Sequence, residues 1–155
     1  MIRIECQTGE TVVLAMETLV GATLDGLNLH RALLEQQDLT RVSFIDADLR
    51  SALLGRSTLT QARFDRARMM NADLDHSNLE SAALIEAKLI GTSLRGASLR
   101  GADLTNADVA FANFSGADLR GARLLCLRLA DATFTDVIVD QTTVVPAGFV
   151  FPQRL

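Results

Sequence analysis

The chain contains no tryptophan or tyrosine, and aromatic residues make up only 5% of its 155 positions. A core anchored on large rings is therefore excluded, and hydrophobic content of 48% must pack as Leu, Ala and a few Phe. That content also excludes disorder, and favours a narrow, repetitive interior. Proline occurs only at Pro146 and Pro152, and no Pro/Ser/Gly-rich or single-sign charged stretch divides the chain, so the sequence reads as one domain. Cysteine is confined to Cys6 and Cys126, which lack any CxxC or Cys/His spacing. They predict neither a disulfide framework nor a zinc site, and fit a reducing cytoplasm.

Positive charge is also scarce. Lys and Arg total 15 against 19 Asp and Glu, for a net charge of −4, and no basic stripe is available to neutralise phosphates. Direct nucleic-acid binding is not expected. The longest apolar run near the N-terminus, Val12–Met16, is too short for a signal-peptide core or a membrane span. The expectation is a soluble, unexported, cytoplasmic protein without a membrane partner.

What the sequence does contain is a period. From Leu24 to Val144, every fifth residue is large and apolar, 25 positions in succession. Two residues before these central positions, 16 of the 25 are Ala, and Ser57, Ser77, Thr92 and Thr142 are also small. An α-helix would turn about 140° in five residues and smear the central residues around its circumference. A straight strand would send successive ones to opposite faces. All 25 can point inward only if the chain turns a corner in each unit, so that short straight segments wind into a coil. Seven of ten glycines, among them Gly21, Gly91 and Gly121, lie two residues after a central position, where that corner falls. The five-residue register predicts no inserted loop.

The units Ala72-Asp73-Leu74, Ala102-Asp103-Leu104 and Ala117-Asp118-Leu119 resemble the A(D/N)LXX repeat of the pentapeptide-repeat family, over about three quarters of the chain. The resemblance implies an all-β fold: a right-handed quadrilateral parallel β-helix with four units per coil. About six coils would span 21–140, in a rod roughly 29 Å long at ~4.8 Å per stacked strand. Residues twenty apart then stack, and Leu24, Phe44, Phe64, Leu84, Leu104 and Leu124 form one interior ladder. Leu27, Gln37, Val42, Leu127 and Val137 depart from the small corner position, as end-coil irregularities. Residues 1–20 read as an N-terminal β cap with entry to the first coil, and 141–155 as a C-terminal capping segment. Thr143 to Phe149 resembles the ending of many proteins of this family and no dimerisation helix.

For function, no catalytic, cofactor or metal residues emerge. His30 and His76 fall on different expected faces, no nucleophile, base and acid converge, and no cofactor is implied. Asp48, Asp73, Asp103, Asp108 and Asp118 occupy the repeat's usual polar slot and read as solvated turn residues. The first reading is a non-enzymatic scaffold that binds an unidentified protein partner through its outer faces, with homodimerisation open. A candidate contact patch comprises Ile45, Met70, Ile85, Ile90, Phe111 and Leu125, with Val145 continuing the column of Ile45, Ile85 and Leu125. The alternative implied by the resemblance is a DNA mimic that binds DNA gyrase or topoisomerase and confers quinolone or toxin resistance; an enzyme is the remote third. Charges on the faces centred on Leu24, Leu29, Leu34 and Leu39 sum to about −2, +2, −2 and −1, which disfavours a phosphate-like stripe.

Overall fold

The computed structural model describes residues 1–152. The last three positions of the expected C-terminal cap, 153–155, lie outside the described residues. The chain opens with an antiparallel hairpin of β1 (Ile2–Glu5) and β2 (Thr11–Leu14), in register Ile2↔Leu14 to Glu5↔Thr11. Alternation puts Ile4 inward, where it is buried against the first coil. The Leu33 N–H donates to the Glu5 carbonyl and the Gln7 N–H to the Arg31 carbonyl, so the hairpin pairs with one otherwise open edge.

Beyond the hairpin the chain is a four-sided β-helical solenoid. Each straight segment contributes one bridging residue, and the bridges are parallel and twenty residues apart, as in Thr23↔Ser43↔Arg63↔Ala83↔Asp103↔Arg123. The Leu24 N–H donates to the Ser43 carbonyl (2.7 Å), and the Ser43 N–H to the Ala22 carbonyl (2.8 Å). Each corner is a turn closed by an N–H three residues on, such as Ala47 to the Phe44 carbonyl (3.0 Å). Its third residue takes positive φ, the requirement that favours glycine in such turns. This holds at every fifth position from Gly21 to Gly121, and not for glycine alone: Arg, Gln, Asp, Ser, Asn, His, Glu and Phe111 all adopt φ of 54–59° there.

The interior is apolar and closely stacked. Central residues from Leu24 to Leu124 are 0–1% exposed, and the rings of Phe44 and Phe64 stack with centroids 5.3 Å apart. The second position of the repeat has its own logic. The amide of the residue after each central position lies outside the ladder, and Asp or Asn supplies its acceptor: Asp73 Oδ1 accepts from Asp75 N–H, and Asn113 Oδ1 from Ser115 N–H. Where that position is Ser43, Asp25 of the preceding coil accepts the Ile45 N–H instead.

The register does slip, contrary to the unbroken period. Asp108 bridges Leu127, nineteen residues on, and Arg123 bridges Val144, twenty-one on. The side chains at the small corner record both shifts. Ser57 and Thr92 donate to the carbonyls of Leu34 and Met69, 23 residues back. Cys126 donates to Leu104, 22 back, and Thr143 to Leu119, 24 back. Cys126 has taken the slot that the period assigns to Leu127, a side chain too large to follow Ala107 there, and Leu127 is displaced outward to 49% exposure. The 3₁₀ turn η1 (Leu129–Asp131), entered through Arg128 at φ 55°, returns Leu129 to the interior. Val144 consequently lies outside the core, 38% exposed, and Val145 packs against it instead of joining an outward column; Val139, in the restored register of Asp118↔Ile138, is also 38% exposed. Gln37 also leaves its corner: its side chain is exposed, donating to the Glu35 carbonyl. The end is covered by Phe149 and Phe151, whose rings meet Phe134 edge-on at 5.8 and 5.3 Å.

Candidate functional site

Because every unit spends its interior on the ladder, chemistry is confined to the second position and to the two corner residues of each unit. On the face centred on Leu29 these place Asp48, Arg68, Lys88 and Asp108 in one bridged column. Asp48 is not solvated as the repeat pattern suggests: its side chain is 6% exposed, held by Arg50 (2.6 Å) and Arg68 (3.2 Å). Asp108 is likewise covered, by a two-pronged pair with Arg128. Hydrogen bonding from Arg50 keeps the Asp48 carboxyl below the usual range, and Arg128 does the same for Asp108. Asp118, on another face, is lowered by Arg120. These carboxylates are therefore structural anchors for arginine, with no free proton-transfer role visible in their geometry.

The histidines are separate. His30 Nδ1 bonds the Arg50 carbonyl (2.8 Å), whereas His76 packs over Gly96, where an added Cβ would come within 2.6 Å of Nδ1. A depression of about 360 Å³ lies beside His76 because Gly55 leaves a gap between Glu35 and Asp75. Two of its carboxylates already serve the fold, since Asp73 accepts from the Asp75 N–H and Asp75 from the Ser93 hydroxyl and the Arg95 N–H. Among the described residues no three His, Cys, Asp or Glu side chains are grouped to hold a metal ion, and no helix is long and apolar enough to cross a membrane. Burial pushes the Cys126 thiol up to about 12, so it stays protonated at neutral pH. Burial raises the Cys6 thiol as well.

The apolar residues of the expected patch do not form one surface. Ile45, Ile85 and Leu125 share a corner column and are half-buried, and it is interrupted by Thr105 and by Asp65, which is itself buried with Oδ1 unpartnered. Met70 and Ile90, also half-buried, lie on the opposite edge of the Leu29 face. Phe111 stands beyond them at 70% exposure and φ 58°. The two columns thus flank the Leu29 face, with its arginines and lysine between them. The ladder Leu24, Phe44, Phe64, Leu84, Leu104 and Leu124 is wholly interior and carries no surface chemistry. What the period could not indicate is the arginine cover over Asp48 and Asp108, or the slip beneath Phe111; the only sequence signal for the latter is a leucine, Leu127, in an alanine slot.

The pentapeptide repeats family matches in eight copies, over residues 19–56, 49–84, 82–121 and 112–143. No curated protein matches the chain closely enough to count as a relative. Among solved structures it is similar to a pentapeptide repeat protein of the Arabidopsis thaliana thylakoid lumen, at 24% identity and TM-score 0.38, over 63% of this chain and 68% of that one. It is also similar to QnrB1, a plasmid-mediated fluoroquinolone resistance protein, at 17% identity and TM-score 0.35, over 77% and 92% of the two chains. A pentapeptide repeat protein from Nostoc aligns at 29% identity and TM-score 0.34, over 60% and 77%. With the family's repeat matched from residue 19 to residue 143, the chain belongs to the pentapeptide repeat family.

Proposed function

We propose that this chain is a non-enzymatic scaffold, a right-handed rod of about six coils that binds another protein through its outer faces in the cytoplasm. One observation carries the reading: polar groups able to do chemistry are engaged in holding corners and columns, while apolar side chains remain outside along both edges of the Leu29 face. Ile85 and Leu125 form part of that contact surface, to a partner or to a second copy. The Ile85→Asp/Leu125→Asp protein should fold, and lose either its self-association by light scattering or its binding of a partner. Unchanged mass and unchanged binding would remove the proposal.

Gyrase binding by DNA mimicry is the second reading, prompted by membership of the pentapeptide repeat family. Arg50, Arg68, Lys88 and Arg128 on one face count against it, since a duplex mimic would be negative there. A supercoiling assay with the protein titrated in, with and without a fluoroquinolone, decides between them: inhibition or drug protection favours mimicry, and no effect leaves the scaffold reading.

A further inference from the structure

Phe111 departs from the regular solenoid in its exposure and in its backbone pairing. Its φ of 58° is in the positive range every corner takes, and five of the seven corners from Gly91 to Gly121 meet it with glycine. Its ring is 70% exposed, more than any other large apolar side chain within the repeats. Its amide also breaks the pairing pattern of the other corners. From Gly21 to Gly116, each other corner residue donates its N–H to the carbonyl nineteen residues on, as Gly91 does to Ala110 (2.9 Å) and Gly116 to Thr135 (2.8 Å). The corresponding carbonyl for Phe111 belongs to Ala130, which lies in η1, and Phe111 has no acceptor among the described residues.

The charge of the adjoining face points to what would use such a corner. Arg31, Arg50, Arg68, Lys88 and Arg128 outnumber Asp48, Asp108 and Asp131, making this the one face of net positive charge on a chain of net −4. Lys88 makes no ion pair among the described residues. Asp48 and Asp108 lie beneath their arginines, so the cationic groups form the outer layer.

We propose that the Leu29 face is the docking surface for an acidic segment of a protein partner, with an apolar side chain seated against Phe111 and Ile90 and carboxylates meeting Lys88 and the flanking arginines. The free Phe111 N–H supplies a further donor to a carboxylate or backbone carbonyl of that segment. The proposal rests on the scaffold reading and assigns its surface and the chemistry of its partner.

Fluorescence anisotropy with a labelled peptide of repeated Glu-Glu-Leu units tests it, against a Lys-Lys-Leu counterpart and single-stranded DNA of equal length. The wild-type chain should bind the acidic peptide in preference to both, more weakly as salt rises. Phe111→Gly places at this corner the residue the fold prefers, so the solenoid is retained, and binding should weaken about tenfold or more. Lys88→Glu should weaken it and flatten the salt dependence. Preference for DNA, no binding of the acidic peptide, or binding unchanged by both substitutions would overturn the proposal. Binding lost instead in Arg56→Glu/Arg95→Glu, on the Leu34 face, overturns this assignment while leaving the scaffold reading intact. That reading is judged separately, by the mass and partner binding of the Ile85→Asp/Leu125→Asp protein.

Discussion

Phe64 and Val139 occupy equivalent positions in the five-residue period, yet truncating them should have very different consequences. Phe64 is fully buried and stacked on Phe44 at 5.3 Å with an interplanar angle of 18°. Its coil is held between neighbours on both sides, so the cavity left by Phe64→Ala cannot collapse freely. The cost should be about 3–5 kcal/mol, of which the lost ring pair supplies about 0.5–1.5. Val139, 38% exposed near the slipped end, should lose less than about 1 kcal/mol on truncation to Ala. Urea unfolding followed by circular dichroism separates the two: with a slope of about 2 kcal/mol/M, the Phe64→Ala midpoint falls by roughly 2 M and that of Val139→Ala by under about 0.5 M. Equal shifts would refute the exposed placement of Val139, and a Phe64→Ala cost below about 1.5 kcal/mol would refute the closely packed interior.

Three further outcomes follow from the surface. Asp48, Asp108 and Asp118 have folded-state carboxyls held below their unfolded values, so their contribution is fully present above the ordinary carboxylate pKa of about 3.9 and is lost as pH falls through the depressed folded values. Thermal melts should therefore show Asp48→Asn less stable by about 1–2 kcal/mol at pH 7, with the gap closing in strong acid. Gly96→Ala should destabilise more than Gly116→Ala, because its Cβ would meet His76 Nδ1 at 2.6 Å whereas at Gly116 the nearest atom is 3.8 Å away. A His76→Ala background should remove that difference in chemical unfolding. The Cys126 thiol, pushed up to about 12, should react with a disulfide reagent at pH 8 far more slowly in the folded chain than in urea.

The fold was legible in the sequence because one constraint repeats. A five-residue period with a small residue two places before each central one admits neither helix nor flat sheet, and the corners at Gly21, Gly91 and Gly121 fall where positive φ is required. The slip was hidden by a coincidence. Leu129 keeps both its place in the period and its burial, while the chain between Arg123 and Leu129 reaches it by a different path, with Cys126 in the corner and η1 after it. Apolar identity alone cannot distinguish Val144 from Val145, either of which satisfies an inward demand. The distinction lies in whether Thr142 or Thr143 sends its hydroxyl to the Leu119 carbonyl, a matter of hydrogen-bond geometry.

The surface was less legible for a related reason. In a solenoid whose every unit must satisfy the same backbone, most polar residues are answering local demands: Asp73 serves the Asp75 amide, and Asp75 in turn the Arg95 amide. Counting charges by face therefore mixes carboxylates committed to the fold with cations that project from it. On the Leu29 face the two separate by depth, since Asp48 is 6% exposed beneath Arg50 and Arg68 at 44% and 54%. A ligand approaching that face meets guanidinium groups and Lys88 before any carboxylate, so its field is more positive at contact than the sum of charges implies. Phe111 is a departure of another kind, because no demand of the repeat explains a ring 70% exposed at a corner where glycine would serve. A ring that the repeat does not require, beside a face whose outer layer is cationic, suits the proposed contact with an acidic, partly apolar segment.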